Sequence, residues 1–375
     1  MRLYQPDCIY IEQSAINSSR TQQILSRCPD IQSIILDDSQ KTGLNDRDIS
    51  LSEGKKALYL KQFPSTAFKL CPGFSENVLC CNYYVLDLVE NCPLECTYCI
   101  LQAFLNRSVI TFHVNVDELV DRMIQTIKSS PHQPFRVGTG EHSDSIALDH
   151  IFNVNPFLVE TFAHLQNATL ELKTKTDRVS SLIGLNHNQN TVIAWSLNPI
   201  EIIKHHELKT ASLKDRLKAA QKVIDNGYGV AFHFDPIILY KDWEKGYQKT
   251  IEMLFDMIPA QKIAWISMGT LRYIPMLKQI AEDRFPGLSI FSNEFTATHD
   301  GKMRYLKPIR KQLIGKISNW IQRIAAKVPL YICMEKHSVW EKTMGIHPKC
   351  AADLERHLNT NIPRISGNTM QGGTR

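Results

Sequence analysis

Short apolar segments alternate with longer amphipathic segments from residue 84 to residue 283. The apolar segments are predicted to be β-strands, because they are short and rich in β-branched and aromatic residues. The amphipathic segments are predicted to be helices that connect one strand to the next, and such crossovers place successive strands parallel in one sheet. The predicted strands are residues 84–89, 135–137, 169–172, 191–195, 230–234 and 263–266. The predicted helices are residues 116–129, 156–166, 213–226, 246–257 and 274–283.

This alternation supplies six β/α units, which is fewer than the eight of a closed barrel. We therefore expect an α/β protein whose central part is a partial (β/α)6 barrel. In parallel β/α folds, ligands bind at the carboxyl ends of the strands. The residues that follow each strand are therefore the first candidates for a functional site.

Three cysteines follow the first predicted strand, Cys92, Cys96 and Cys99, in the spacing C-x3-C-x2-C. A four-iron cluster normally takes four thiolates, so three thiolates from one loop would leave one iron open to a small ligand. A structural zinc site, a disulfide loop and unligated buried thiols are the alternatives. Zinc prefers paired C-x2-C units with a second pair downstream, and no such pair is visible here.

Polar residues also follow the other predicted strands. The second strand leads into Gly138-Thr-Gly-Glu-His-Ser-Asp-Ser145, whose glycines allow the backbone to approach a ligand closely. The next strands are followed by Lys173-Thr-Lys-Thr176, Ser196-Leu-Asn198, Asp235-Pro-Ile-Ile-Leu-Tyr240 and Ser267-Met-Gly-Thr270. Short hydroxyl and amide side chains suit a ribose diol. Helix capping or solvation explains each of these sites alone, but five polar strand ends in a row favour one cavity.

Further elements are predicted on both sides of the barrel. The N-terminal part has predicted strands at residues 8–12 and 31–36 around a helix at 21–26. After the barrel we expect a short hairpin, a basic amphipathic helix at 306–326, a strand at 328–334 and a helical region at 335–358 that breaks at Pro348. The predicted domains are residues 1–75 (small α/β element), 76–290 (barrel), 291–366 (hairpin and helical extension) and 367–375 (disordered tail).

Residues 301–327 carry eight Lys or Arg and no Asp or Glu. Basic groups interleaved with an aromatic residue suit phosphate contacts combined with base stacking, which favours a nucleic acid partner. The alternative is the solvated face of the helix that follows. The candidate contact residues are Lys302, Arg304, Tyr305, Lys307 and Arg310.

The composition is that of a globular protein, with 43% apolar and 22% charged residues. The sequence shows neither an N-terminal signal nor an apolar run of about 18 residues, so we expect a cytoplasmic protein without membrane association. In a reducing compartment, the ten cysteines are expected to be ligands, catalysts or buried thiols rather than disulfides. A net charge of +5 permits an anionic partner without requiring one.

The cysteine spacing is the signature of radical S-adenosylmethionine (SAM) enzymes, and the sequence resembles the spore photoproduct lyase family within that superfamily. The resemblance extends over roughly residues 55–345. The stretches that carry it are Cys71-Pro-Gly73, Cys80-Cys81, the cysteine loop, Leu172-Lys-Thr-Lys-Thr176, Ser196-Leu-Asn198, Phe232-His-Phe-Asp-Pro-Ile-Ile238, Gly301-Lys-Met-Arg-Tyr305 and Cys333-Met-Glu335 with Trp340.

The resemblance implies a [4Fe-4S] cluster on Cys92, Cys96 and Cys99, and an electron donor such as flavodoxin or ferredoxin. In the family, reductive cleavage of SAM gives a 5′-deoxyadenosyl radical that abstracts hydrogen from a thymine dimer lesion in DNA. DNA or another nucleic acid is therefore the implied partner, and the basic hairpin is the segment that family lyases insert as a wedge. The expected SAM contacts are Tyr98, Glu141, Ser143, Asp144, Lys175, Ser196, Asn198 and Tyr240.

The sequence departs from the family at two positions. The lyases carry a hydrogen-donor cysteine two residues before the Ser-Asp pair, where this chain has Glu141, and a tyrosine after the last cluster cysteine, where it has Ile100. A carboxylic acid O–H bond is far stronger than a thiol S–H bond, so Glu141 cannot take over hydrogen donation. We expect Glu141 and Tyr98 to lie in the catalytic site, with Glu141 accepting a hydrogen bond from the ammonium of SAM. A radical enzyme with another substrate and a catalytically silent nucleic acid-binding protein are the alternative functions.

Overall fold

The computed structural model describes residues 3–37, 50–71, 78–344 and 348–359. Its strands are β1 (Cys8–Glu12), β2 (Ser33–Leu36), β3 (Ala57–Lys61), β4 (Phe68–Leu70), β5 (Tyr83–Leu86), β6 (Val89–Glu90), β7 (Glu95–Cys96), β8 (Ile110–His113), β9 (Phe135–Gly138), β10 (Ala168–Thr174), β11 (Thr191–Ser196), β12 (Glu207–Leu208), β13 (Gly229–Ile237), β14 (Ile263–Thr270), β15 (Arg272–Tyr273), β16 (Phe295–Ala297), β17 (Met303–Tyr305) and β18 (Leu330–Ile332). Its α-helices are α1 (Ser19–Arg27), α2 (Leu51–Gly54), α3 (Leu101–Phe104), α4 (Val116–Lys128), α5 (Asp149–Phe152), α6 (Asn155–Ala163), α7 (Ile200–His206), α8 (Leu213–Ile224), α9 (Trp243–Met257), α10 (Pro275–Arg284), α11 (Lys307–Ile324), α12 (His337–Thr343) and α13 (Ala351–Asn359).

The central sheet has the strand order β18-β14-β13-β11-β10-β9-β5-β4. Its neighbours pair in parallel, except for β4 and β5, which are antiparallel. The six strands predicted from the sequence are β5, β9, β10, β11, β13 and β14. The two outermost strands, β4 and β18, are not paired with each other, so the barrel is open. The predicted partial β/α barrel is therefore confirmed.

The barrel strands are buried on both faces, because helices pack outside the sheet and a mixture of aromatic, apolar and paired polar side chains, among them Arg136, Glu171 and His233, fills its interior. On α8, for example, Leu213, Leu217, Ala220 and Val223 are buried at helical spacing, while the opposite side of the helix faces solvent. Three strands extend further than predicted. β10 continues to Thr174, β13 to Ile237 and β14 to Thr270, because ladder pairing continues past the predicted ends.

A second sheet has the order β2-β1-β3-β8-β6. The predicted N-terminal strands and helix are confirmed as β1, β2 and α1, whereas β3 and β8 were not expected. β8 pairs with β3 in parallel and with β6 in antiparallel fashion. The sheet thus takes strands from both sides of the boundary proposed at residue 75, and the domain boundaries stay a prediction. Because β6 ends at Glu90, this sheet also fixes the chain just before Cys92.

The C-terminal region contains a three-stranded antiparallel sheet in the order β15-β17-β16, followed by α11. The expected hairpin and basic helix are therefore confirmed, as is the interruption of the last helical region between α12 and α13. The predicted tail and the Pro72-Gly73 dipeptide lie outside the described residues. None of the helices in the described part of the chain is long and apolar enough to cross a membrane.

Candidate functional site

A cavity of about 430 Å³ opens at the carboxyl ends of the barrel strands. It is lined by the cysteine loop, by residues that end or follow β9, β10, β11, β13 and β14, and by the C-terminal hairpin. The lining residues are Tyr98, Cys99, Ile100, Leu101, Phe104, Glu141, His142, Lys173, Lys175, Ser196, His233, Asp235, Pro236, Leu271, Arg272, Ile274, Lys302 and Met334. Four of the five predicted polar strand ends therefore share one cavity, whereas none of residues 267–270, predicted to follow the sixth strand, is among its lining residues.

The cysteine loop is held by hydrogen bonds to its backbone. The Cys99 N–H donates to the Cys96 carbonyl, and the Gln102 side-chain amide donates to the carbonyls of Cys96 and Thr97. From the N-terminal region, Lys55 Nζ donates to the Leu94 carbonyl at 2.7 Å. The loop therefore has a defined course through its own hydrogen bonds and those of a neighbouring segment.

The thiols of this loop are the candidate ligands of the predicted iron–sulfur cluster. Cys92 and Cys96 are buried, and Cys99 reaches the cavity wall. Burial raises the pKa of Cys92 to about 12 and also raises that of Cys96, so binding a metal centre must release their protons. Among the described residues, no three Cys, His, Asp or Glu side chains converge closely enough to bind one metal ion. A cluster binds each thiolate through a different iron atom, so it requires wider spacing than zinc does.

The glycine-rich turn after β9 contains buried polar atoms that lack hydrogen-bond partners within the described chain. They are Thr139 Oγ1, His142 Nε2 and Ser143 Oγ. Gly138 is required here, because a Cβ atom at this position would lie 1.5 Å from Tyr83 Oη. Buried polar groups normally have partners, so the three atoms favour a polar ligand at this turn.

Asp144 has a different environment from that of a free ligand-binding carboxylate. Its oxygens accept hydrogen bonds from the N–H groups of Ile146, Ala147 and Lys175 and from Thr174 Oγ1, at 2.8–3.0 Å. These contacts link the turn after β9 to the end of β10. The structure therefore assigns Asp144 the positioning of Lys175, whose side chain lines the cavity and whose Nζ lies 6.0 Å from the Tyr98 ring centroid.

Ser196 lines the cavity as expected, whereas four other predicted SAM contacts, Ser143, Asp144, Asn198 and Tyr240, do not. Asn198 is fully buried, and its amide donates to Glu207 and accepts from Tyr247. Tyr240 packs with its hydroxyl over Gly246 of α9, where an added Cβ atom would lie 1.8 Å from that oxygen. The predicted direct contacts by Asn198 and Tyr240 are therefore corrected, because both side chains pack into the protein rather than line the cavity.

Glu141 lies on the cavity wall, where its Oε1 accepts a hydrogen bond from Lys173 Nζ at 2.8 Å. Both side chains are about one-quarter exposed. Although burial lowers the pKa of Lys173, the carboxylates of Glu141 and Glu171 outweigh this effect and raise it, so the ammonium stays charged. Glu141 therefore enters the cavity as one half of an ion pair. Sequence reasoning missed Lys173 as its partner.

Below the cavity, Arg136 is buried between three aromatic rings. Its guanidinium carbon lies 5.3 Å from the ring centroid of Tyr83, 4.9 Å from Trp265 and 5.2 Å from Tyr331. Within the described residues its side-chain nitrogens make no hydrogen bond, and Glu171 is the carboxylate partner at 3.9 Å. We refer to Arg136 and these three rings as the guanidinium cage.

His233 connects this buried charge to the cavity. Its Nε2 lies 2.6 Å from Glu171 Oε1, its Nδ1 is hydrogen-bonded to Ser267, and its ring lines the cavity. The expectation that His233 faces the cavity is confirmed. Burial would raise the pKa of Glu171, but His233, Arg136 and Lys173 outweigh burial and lower the pKa to about 2. Glu171 therefore stays ionised at neutral pH beneath the cavity.

A second ion pair lies on the cavity wall and was not predicted. Arg272 forms a bidentate pair with Asp235, with distances of 2.9 and 3.0 Å. Its Nε lies 3.2 Å from Met334 Sδ, and its Nη2 lies 3.7 Å from Cys333 Sγ. Arg272 lies two positions beyond the end of β14, just outside the segment Ser267-Met-Gly-Thr270 that was considered to follow that strand. A charged residue at this position was the available sequence signal.

The spore photoproduct lyase family model matches residues 4–323 of the chain. The chain belongs to the spore photoproduct lyase family. It is 25% identical over 220 residues to spore photoproduct lyase of Clostridium acetobutylicum, covering 58% of this chain and 63% of the relative. It is 28% identical over 206 residues to that of Bacillus subtilis, covering 54% of this chain and 60% of the relative. Each match thus spans less than two-thirds of the relative.

Solved structures support the same fold. A cysteine-to-alanine mutant of spore photoproduct lyase with dinucleoside spore photoproduct superposes with a TM-score of 0.79 at 21% identity, covering 88% of this chain and 100% of that chain. A double mutant with bound AdoMet and dinucleoside spore photoproduct gives a TM-score of 0.77 at 21% identity, covering 89% of this chain and 100% of that chain. At this identity the superposition shows that the fold is shared.

The basic hairpin predicted from the sequence is present as β16 and β17, but three of the predicted nucleic acid contacts on the hairpin and on α11 are buried. Arg304 pairs with Asp300, which lies one residue before the basic segment. Tyr305 has no exposed surface, stacks on Phe295 at 4.4 Å between ring centroids, and accepts a hydrogen bond from the Leu239 N–H. The predictions for Arg304 and Tyr305 are corrected, because neither side chain is available to a phosphate or a base.

The prediction that Arg310 contacts nucleic acid is also corrected. Arg310 is buried on α11, lies 2.8 Å from Glu335 and donates to the Tyr305 carbonyl. Lys302 and Lys307 have different positions: Lys302 lines the cavity with its side chain 22% exposed, and Lys307 is exposed at the start of α11. The prediction of nucleic acid contacts therefore narrows to Lys302 and Lys307.

Proposed function

We propose that this protein is a radical SAM enzyme that acts on a DNA thymine photolesion. The observation that carries the proposal is the convergence of Cys99, Tyr98, Lys175, Ser196 and Glu141 on one cavity at the strand ends of a partial barrel. Membership of the spore photoproduct lyase family supports it. A binding protein with a purely structural cluster would not need a cavity of this polarity next to the cysteine loop.

In this proposal, Cys92, Cys96 and Cys99 hold a [4Fe-4S] cluster with one iron open to SAM. When bound, the cluster and SAM supply a 5′-deoxyadenosyl radical. The chain contributes binding and orientation. Lys175 provides a positive charge for the SAM carboxylate, and Ser143 and Ser196 provide hydroxyl groups of the kind that hydrogen-bond to the polar parts of SAM.

We propose DNA as the substrate partner, because solved structures of similar proteins contain dinucleoside spore photoproduct. Lys302, a cationic side chain that lines the cavity, is suited to the phosphate groups around a lesion. A flavodoxin or ferredoxin is the proposed electron donor, and the cytoplasm is the proposed location, because an oxygen-sensitive cluster needs a reducing environment.

Glu141 determines how far the reaction proceeds in this proposal. After the lesion bond breaks, the product radical must receive a hydrogen atom, which a weak thiol S–H bond supplies easily. Glu141 offers no such bond, and its carboxylate is paired with Lys173 at 2.8 Å. We therefore assign Glu141 and Lys173 to binding the SAM amino acid group, with Glu141 accepting from its ammonium. Tyr98 and Cys333 are the alternative hydrogen donors, and burial raises the pKa of both, so both stay protonated at neutral pH.

The test is anaerobic product analysis with SAM, dithionite and a lesion-bearing dinucleotide. Wild-type protein is expected to form 5′-deoxyadenosine with slow or absent repair. Glu141→Cys should raise the repair yield. Glu141→Ser should not, because serine is similar in volume to cysteine but has no S–H bond. A panel of other nucleic acids belongs in the same assay. Absence of 5′-deoxyadenosine with every substrate would refute the enzyme assignment, and clean repair by the wild type at the Glu141→Cys rate would show that another donor acts.

A further inference from the structure

Glu207 is a fully buried carboxylate that contacts the cysteine loop from outside the barrel strands. It begins β12, which pairs in antiparallel fashion with β7, so that Glu207 lies opposite Cys96. The residue before it, His206, accepts a backbone hydrogen bond from the Thr97 N–H at 2.9 Å, and its ring lies 3.1 Å from the Thr97 hydroxyl. A two-residue strand has little stability of its own, so side-chain contacts must stabilise this pairing.

The side chain of Glu207 provides those contacts. Its Oε1 accepts hydrogen bonds from the Tyr98 hydroxyl and from the Asn198 amide, the latter at 2.9 Å. Its Oε2 lies 2.6 Å from Arg216 Nη2, and the side chains of Glu207 and Arg216 are both 0% exposed. One carboxylate therefore joins the cysteine loop, the end of β11 and helix α8.

Arg216 is in turn fixed by the barrel. Its guanidinium donates to the carbonyls of Ser196 and Ala211, at 2.8 and 3.0 Å, and to the Thr210 hydroxyl at 2.7 Å. Ser196 lines the cavity, so the same guanidinium holds the end of β11 and the carboxylate that holds Tyr98. The contacts form a continuous chain from one cavity wall to the cysteine loop.

We propose that Glu207 is a positioning residue that fixes Tyr98 and the cysteine loop relative to Ser196, so that the cluster and its ligand face the cavity in one register. This inference rests on the proposed function for its purpose, but its physical content concerns the loop alone. The negative charge is required as well as the shape, because Glu207 is the buried partner of the Arg216 guanidinium. A neutral amide would leave that guanidinium without a counter-charge and bring an N–H group towards its N–H donors.

The experiment measures how often the loop opens in the full-length protein before cluster reconstitution. Cysteine alkylation by iodoacetamide is followed peptide by peptide, so Cys96 and Cys99 are read separately from Cys28, a buried thiol that follows α1. Glu207→Gln is the main variant. Glu201→Gln is the matched control, since Glu201 lies on the adjoining helix α7 with its side chain 62% exposed and pairs only with His205 among the described residues.

Glu207→Gln is expected to accelerate alkylation of the buried Cys96 by about ten- to hundredfold, the effect of losing a charge-assisted contact in a segment that opens locally. Cys99 already reaches the cavity wall, so its alkylation should be accelerated by a smaller factor. Cys28 should keep its wild-type rate, and Glu201→Gln should match the wild type at every thiol. Adding SAM should change the EPR spectrum of the reduced, reconstituted cluster. In Glu207→Gln this change should differ from that of the wild type. A purely structural role would instead accelerate all buried thiols together.

Tyr98→Phe provides the second variant, because it keeps the ring and removes only the hydroxyl that Glu207 binds. Tyr98→Phe should accelerate alkylation of Cys96 and Cys99 less than Glu207→Gln does and leave the alkylation rate of Cys28 unchanged. If Glu207→Gln does not fold, Tyr98→Phe alone tests the inference. Loop thiols that react at the Glu201→Gln rate would overturn the inference. So would equal acceleration at Cys28. Neither readout uses SAM cleavage or DNA, so the inference and the proposed function fail separately.

Discussion

Replacing Glu171 by Gln tests whether the buried charge beneath the cavity stabilises the fold. Glu171 is 1% exposed, lies 2.6 Å from His233 Nε2, and is the carboxylate partner of Arg136 in the guanidinium cage. Glu171→Gln preserves the volume of the side chain but removes the negative charge that faces the Arg136 guanidinium. Breaking a buried pair by neutralising one partner destabilises a protein much more than removing both partners does.

The pKa of Glu171 sets the magnitude. A carboxyl whose pKa falls from 4.5 to about 2 on folding stabilises the folded state by about 3 kcal/mol at neutral pH. Removing one partner of a buried ion pair lowers the free energy of unfolding by a similar amount, about 3–5 kcal/mol. For a chain of this size, a loss of about 3 kcal/mol corresponds to a fall in Tm of about 4 °C if the chain unfolds as one unit.

The sign of the pH dependence follows from the lowered pKa. The stabilisation by Glu171 is complete above its unfolded pKa of 4.5 and is lost as the pH falls towards about 2. The Tm difference between wild type and Glu171→Gln should therefore narrow as the pH falls from about 7 through about 4.5 to about 3. Thermal unfolding of both proteins across this range measures it.

The matched control is Glu160→Gln, because Glu160 is an exposed carboxylate on α6. It should leave Tm within a degree or so of the wild type at each pH, as surface substitutions usually do. Equal Tm values for Glu171→Gln and Glu160→Gln at pH 7 would refute the reasoning about the buried pair. A Tm difference that stays undiminished at pH 3 would refute the assignment of that stability to the ionised carboxylate.

Three further predictions concern the site. Cys96→Ala should abolish cluster binding, so iron analysis after reconstitution should fall from about four irons per chain towards none. Arg304→Ala should lower Tm, because it removes the partner of Asp300, yet leave the salt dependence of DNA binding unchanged. Lys302→Ala should weaken DNA binding and reduce the slope of log binding constant against log salt concentration by about one. Asp144→Ala should weaken SAM binding in equilibrium dialysis by releasing the backbone that positions Lys175, and unchanged affinity would contradict that role.

Local sequence patterns were sufficient to predict the barrel and the cysteine loop. Short apolar segments separated by amphipathic helices leave few topologies other than an open parallel sheet, and the structure has that sheet. Strand ends then determine where polar residues gather, which is why Lys175, Ser196 and Glu141 line the cavity as predicted. These features depend on residues that are close in sequence or on the direction of parallel strands, so the sequence alone determines them.

The tertiary structure decided which polar side chains reach the cavity and which are used inside the protein. Asn198 had the expected position after β11, but its amide is taken by Glu207 and Tyr247. Tyr305 and Arg310 belong to a basic stretch, yet both are buried by packing.

Glu207 itself had no sequence signal, because its role depends on a two-residue strand pairing with a loop more than a hundred residues earlier. Whether a polar group is free or bonded depends on partners distant in sequence, and the need to pair every buried polar group is met only once the chain has folded.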